Sequence, residues 1–237
     1  MAAPRISIDQ NKVSRRLIKL AIGLALLGVL GFLFLRSVRG SRAQPYTLPA
    51  ASMQPWTIVS ITGARPGDPM LVWRPPAGLM GSLFDQLFKR SMESMGQPVV
   101  PGIPLVFQSE FAQAQASQPT LTPEAVLAAA RQAGLEATPP QPRCVAHRRA
   151  TGGSQGTDRE QLYFLLFDAP GFGRFRQQLA ELVNRGLAPG ARRMDPALAS
   201  PALIVALVES SQDHWLPLHA DPERDCVAPI AISPAAP

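Results

Sequence analysis

The sequence predicts an α+β protein: a single N-terminal transmembrane helix followed by an extended ferredoxin-like sheet domain, β-α-β-β-α-β. Three observations carry this. One uncharged run near the N-terminus is apolar on every side. The hydrophobic period then switches repeatedly between two and 3.6. The charge is also concentrated at one end of the chain.

The chain has 237 residues, 23 Lys plus Arg against 17 Asp plus Glu, and a net charge of +6. Eight basic residues lie in the first 42, opposed only by Asp9, so that segment carries +7 and the remaining 195 residues carry −1. Nucleic-acid binding requires a concentrated basic face on the folded part, so no nucleic-acid partner is expected. A hydrophobic fraction of 46% and a charged fraction of 17% exclude a disordered chain. Two cysteines are too few for a thiolate zinc or iron–sulfur centre within one chain.

Residues 1–16 read as a short basic cytoplasmic tail, and residues 17–35 as the transmembrane helix. Leu20 to Leu35 is free of charge, and the nineteen residues span about 28 Å as helix, enough to cross a hydrocarbon core. Basic clusters flank both ends. Ser41-Arg42-Ala43 is a poor signal-peptidase site because three arginines intervene, so the segment reads as an uncleaved signal anchor. More basic residues precede the run than follow it, which places the N-terminus in the cytoplasm and the domain in a periplasm or the extracellular space. Arginine outnumbers lysine 20 to 3, a bias that fits a GC-rich bacterium and hence a bacterial inner membrane. Ala21, Ala25, Gly28 and Gly31 form a row of small residues on which a second helix could pack.

Residues 36–55 contain Pro45, Pro49 and Pro55 without periodicity and read as a linker. A single α+β domain fills 56–237: a β-β-α portion at 56–100, the ferredoxin-like core at 104–210, and a C-terminal loop and strand at 211–237. Thr57–Ile61 and Met70–Trp73 are short apolar strands around a turn. Leu79–Met95 is an amphipathic helix with Met80, Leu83, Phe84, Leu87, Phe88 and Met95 inward, a Ser82/Asp85 capping box and a terminal Gly96.

Leu105–Phe111 reads as a strand and the Ala/Gln-rich stretch after it as a loop. Thr122-Pro123-Glu124 supplies an N-cap, a first-turn proline and a carboxylate suited to the helix dipole, and the helix closes at Gly134. Cys144–Ala150 is an edge strand protected by His147, Arg148 and Arg149. Leu162–Phe167 is a central strand, Phe172, Phe175, Leu179 and Leu182 mark an amphipathic helix ending at Gly186, and Leu203–Val208 is a final strand. That last strand is apolar throughout, so its expected edge position requires a cover, from 56–61 or from 227–232.

Outside the cytoplasm, Cys144 and Cys226 point to a disulfide. His214 and His219, with Asp221, are the only candidate metal ligands. Their spacing of five and the intervening Pro217 deny them a shared helical face, so neither a metal nor another cofactor is expected. Gly152-Gly153-Ser154-Gln155-Gly156 joins two strands and lacks a Gly-Lys-Ser/Thr ending. Gly171-Phe172-Gly173 has Arg176 where a dinucleotide fingerprint needs glycine. No catalytic residue set emerges. The expectation is a noncatalytic accessory or assembly subunit of an envelope complex, with the lipid bilayer and other membrane subunits as partners. The alternative is a membrane-tethered hydrolase or metal-dependent enzyme using the His214/His219 segment.

Overall fold

Helix α1 (Gln10–Ala43) carries the apolar run and continues on either side of it. The flanking residues contain no proline, and the helix ends just before Pro45, whose ring disfavours helical backbone in Gln44. Leu20–Ser37 is long and apolar enough to cross a membrane, and its large side chains are exposed all round, from 53% at Leu33 to 67% at Leu27. The structure is a computed structural model. It describes residues 10–61, 67–91, 93–149, 161–185, 187, 190, 193–208 and 219–234. Met1–Arg42 and Ala43–Pro237 are separate units.

Among the described residues, nine strands build the second unit: β1 (Tyr46–Pro49), β2 (Thr57–Ser60), β3 (Pro69–Arg74), β4 (Met95–Gly96), β5 (Ile103–Phe107), β6 (Gln141–Arg149), β7 (Gln161–Asp168), β8 (Ala202–Val208) and β9 (Cys226–Ser233). They form a six-stranded sheet ordered β1-β9-β6-β7-β8-β4 and a three-stranded sheet ordered β2-β3-β5. Helices α2 (Ala77–Ser91), α3 (Gln108–Ser117), α4 (Pro123–Gln132), α5 (Pro170–Asn184) and the short α6 (Pro222–Asp225) complete it. The α+β class is as expected from the sequence. The expected hairpin is also present, with β2 antiparallel to β3.

The ferredoxin-like arrangement is not adopted. It requires the strand at 103–107 to lie inside the same sheet as β7, but β5 pairs with β3 in the other sheet, and β7 is flanked by β6 and β8. The β2–β3 hairpin presents an open edge nearer in sequence, and Gly102 lets the chain pass close over it. A Cβ at Gly102 would collide with Val72 Cγ1. Leu105 and Val106 are buried there.

Several local expectations change with this. Strand β5 stops at Phe107, and the Ala/Gln-rich stretch read as a loop is helix α3, which buries Phe111 and Ala114. Helix α2 starts after Pro75-Pro76, so Ser82 and Asp85 lie inside it and form no capping box. Met95 and Gly96 are strand β4, not the end of that helix. Phe88 is 51% exposed and stacks on Phe84, with ring centroids 6.4 Å apart. Residues 46–53, expected within the linker, form β1 and a 3₁₀ turn, Ala50–Met53. Strand β6 is not an edge: β9 pairs along its outer side. The Thr122 cap is as expected, its Oγ1 accepting from the Ala125 N–H at 3.2 Å, and Gly134 closes the α4 segment with φ +82°.

The apolar character of β8 now has its reason. All seven of its residues are buried, because both faces of the sheet are covered there. One face joins the main core with α2, α4, α5 and the smaller sheet. The other forms a small cluster of Cys144, Ala146, Leu162, Phe164, Leu166, Ala202, Ile204, Leu207 and Ala220. The cover on the β8 edge is the two-residue β4, with Met95 opposite Val208, whereas 226–233 lies at the far side of the sheet. Trp56 bridges the sheets, its ring 5.2 Å from both Trp73 and Phe167.

Candidate functional site

Two buried charge clusters and one disulfide are the chemistry-bearing features of the domain among the described residues. Cys144 near the start of β6 and Cys226 at the start of β9 are joined, with their Cα atoms 5.8 Å apart and a sequence separation of 82. The register that pairs Cys144 with Pro229 and Ala146 with Cys226 brings the two strands side by side.

Asp225, beside the disulfide, is 3% exposed. One oxygen accepts from Arg148 Nη2 and from the Asp221 N–H at 2.9 Å; the other accepts from Arg224 Nε at 3.0 Å. Burial pushes this carboxyl up, but the bonds from Arg224, the Asp221 backbone and Arg148 outweigh it and hold Asp225 below the usual carboxylate range. Arg148 Nη2 also donates to the His219 carbonyl at 2.8 Å, and its guanidinium lies 5.7 Å from the Phe164 ring centre. The arginine expected to guard an edge is therefore a tie between β6 and the C-terminal segment.

The second cluster joins α5 to the start of α3. Arg176 is 4% exposed and grips Glu110 through both Nη atoms, at 3.0 and 2.8 Å, while Nη1 also donates to the Leu105 carbonyl at 3.0 Å. Glu110 in turn accepts from the Phe107 N–H at 2.9 Å, capping α3. The pair lines a cleft of about 400 Å³ together with Phe107, Gln113, Arg193, Met194, Asp195, Leu198 and Ala199. Both carboxylate oxygens of Glu110 accept hydrogen bonds, so the pair ties α5 to the β5–α3 junction. A bidentate arginine–carboxylate pair of this kind fixes geometry.

The sequence pointed to neither cluster. Arg176 lies on the buried face of α5, with Phe172, Phe175, Leu179, Ala180 and Val183. A charge in that apolar stripe is the sequence signal that it needs a buried partner. Glu110 and Asp225 carry no such signal for Arg176 and Arg148, which lie 66 and 77 positions away in sequence.

Of the metal candidates named from the sequence, His219 and Asp221 lie among the described residues. His219 Nδ1 bonds with the Ala197 carbonyl at 2.9 Å, and Asp221 uses its Oδ1 to cap the Glu223 N–H at 3.0 Å. His214 lies outside the described residues, as do 152–156. No group of three or more His, Cys, Asp or Glu among the described residues is placed to hold a metal ion. On α1, Ala21, Ala25, Gly28 and Gly31 are all exposed, and a Cβ added at either glycine would meet nothing within 4 Å. Compared with known proteins, the chain matches no protein-family model, and no curated protein or solved structure matches it significantly.

Proposed function

We propose that this chain is a single-pass membrane protein, its N-terminus cytoplasmic and its α+β domain outside the inner membrane of a bacterium, serving as a noncatalytic accessory or assembly subunit of an envelope complex. The observation that carries this is the exposed apolar surface of Leu20–Ser37 between basic flanks. Such a surface is stable in hydrocarbon and costly in water. The Cys144–Cys226 disulfide supports the compartment, because such bonds persist in oxidising surroundings. The open row Ala21, Ala25, Gly28 and Gly31 supports a partner helix in the bilayer.

Crosslinking in native membranes, followed by purification in mild detergent, tests the reading. The expected result is a specific membrane-protein adduct that is lost when Gly28 and Gly31 are replaced by leucine. A chain that stays monomeric and captures nothing overturns the subunit role. Stoichiometric zinc in the purified protein, lost in the His214→Ala and His219→Ala variants, would favour the metal-dependent enzyme instead.

A further inference from the structure

The first and last strands of the unit Ala43–Pro237 are neighbours, and they run parallel: Tyr46–Pro49 lies against Ile230–Ser233. The chain enters β1 at one end of this ladder and leaves β9 at the other. A pull between those two points draws the strands past each other along their axes, so all four residue pairs bear load together. Had the strands been antiparallel, entry and exit would share one end, and the bonds would peel in turn.

Two further features reinforce that ladder. Helix α2 grips the incoming chain with residues one turn apart. Arg90 donates to the carbonyls of Gln44 and Pro45 at 2.6 and 2.9 Å, and stands 4.1 Å from the Tyr46 ring centre. Gln86 accepts from the Thr47 N–H at 3.0 Å and donates to the Thr47 carbonyl at 2.7 Å, as a neighbouring strand would. Tyr46 and Leu48 are buried beneath this grip, at 4% and 0% exposure. At the other side of the ladder, the Cys226–Cys144 bond prevents β9 from sliding along β6. Only Gln44 and Pro45 separate the end of α1 from β1.

We propose that β1, β9 and the Gln86–Arg90 clasp form a load-bearing clamp, which resists tension applied between the membrane helix and the C-terminal end of β9. This rests on the membrane-anchored reading and specifies what such a subunit does: it is a mechanical link.

Single-molecule pulling on the full chain in detergent micelles, with handles on terminal tags, tests it. Once α1 has been drawn out, the wild-type domain should break in one cooperative event, with no low-force release of residues 44–50 before it. Adding reductant should lengthen the released chain by about 280 Å, since the 82-residue loop closed by the disulfide then also extends. The Gln86→Ala/Arg90→Ala variant should rupture about tenfold faster at constant load, having lost four hydrogen bonds to the clamp, and should unfold in denaturant at a much less altered rate. Release of residues 44–50 at low force in wild type, or equal rupture rates for wild type and variant under load, overturns the clamp. Failure of the membrane reading shows separately, as a chain that does not float with lipid vesicles, while the micelle measurement stands.

Discussion

Leu20–Leu35 on α1 and Ala202–Val208 in β8 are both apolar without interruption, and their surroundings are opposite. The first exposes every large side chain, while the second buries all seven residues. Sixteen residues of mostly unbranched and γ-branched side chains, with three glycines and one valine, continue a helix long enough for a bilayer. Seven residues rich in β-branched and small side chains suit a strand covered on both faces. Composition alone does not separate a helix long and apolar enough to cross a membrane from a core strand; length, branching and charged flanks do.

The contrast can be broken at either end. The largest expected effect is on the helix: Leu27→Arg near the middle of the run costs about 3 kcal/mol of insertion free energy. It should move the chain from the vesicle-bound to the soluble or aggregated fraction in flotation, whereas Leu203→Arg should leave flotation intact and unfold the domain. Within the core, Leu203→Ala, at a side chain with 0% exposure, should cost about 2–5 kcal/mol by denaturant unfolding.

The charge clusters sharpen the comparison, because they show what the domain does with polar groups it buries. Glu110→Ala strands Arg176 and should cost about 3–5 kcal/mol, while Arg176→Met together with Glu110→Met should recover much of that loss. Opening the 82-residue loop with Cys144→Ala and Cys226→Ala should lower stability by about 2–5 kcal/mol.

Asp225 gives a pH signature. Its carboxyl titrates below the usual range in the folded chain, so the stability it contributes is fully present above the unfolded-state value of about 3.9 and is lost as pH falls through the lower folded value. Asp225→Asn should therefore flatten the acid limb of the stability curve below about pH 4, as followed by circular dichroism. The smallest effect is expected at the α4 cap, where Thr122→Ala should cost about 1 kcal/mol.

Much of the domain was legible because its signals are local. The Thr122 cap, the Gly134 terminus, the β2–β3 hairpin and the amphipathic α5 each depend on residues within a few positions of one another. The errors arose where local signals were weak or ambiguous. Helix α3 has only Phe111 and Ala114 to bury, too few to show a helical period against its glutamines and alanines. Strand β4 is two residues long and exists because Val208 and Leu207 offer it an edge. The clasp could not be read from Gln86 and Arg90, which look like an ordinary solvated helix face until the chain at 44–47 is laid across them.

What the sequence determined by itself was the apolar helix, the α+β class and the type of most elements, because hydrophobic period, branching, caps and charge placement act over short spans of chain. Which strands are neighbours was decided only by the tertiary structure. The order β-α-β-β-α-β is compatible with several sheets, and the choice fell on the one in which Gly102 lets β5 close over β3 and β8 is covered on both faces. Strand pairing is a contest among distant edges, settled by total burial and satisfied backbone bonds, and no single stretch of this sequence holds that information.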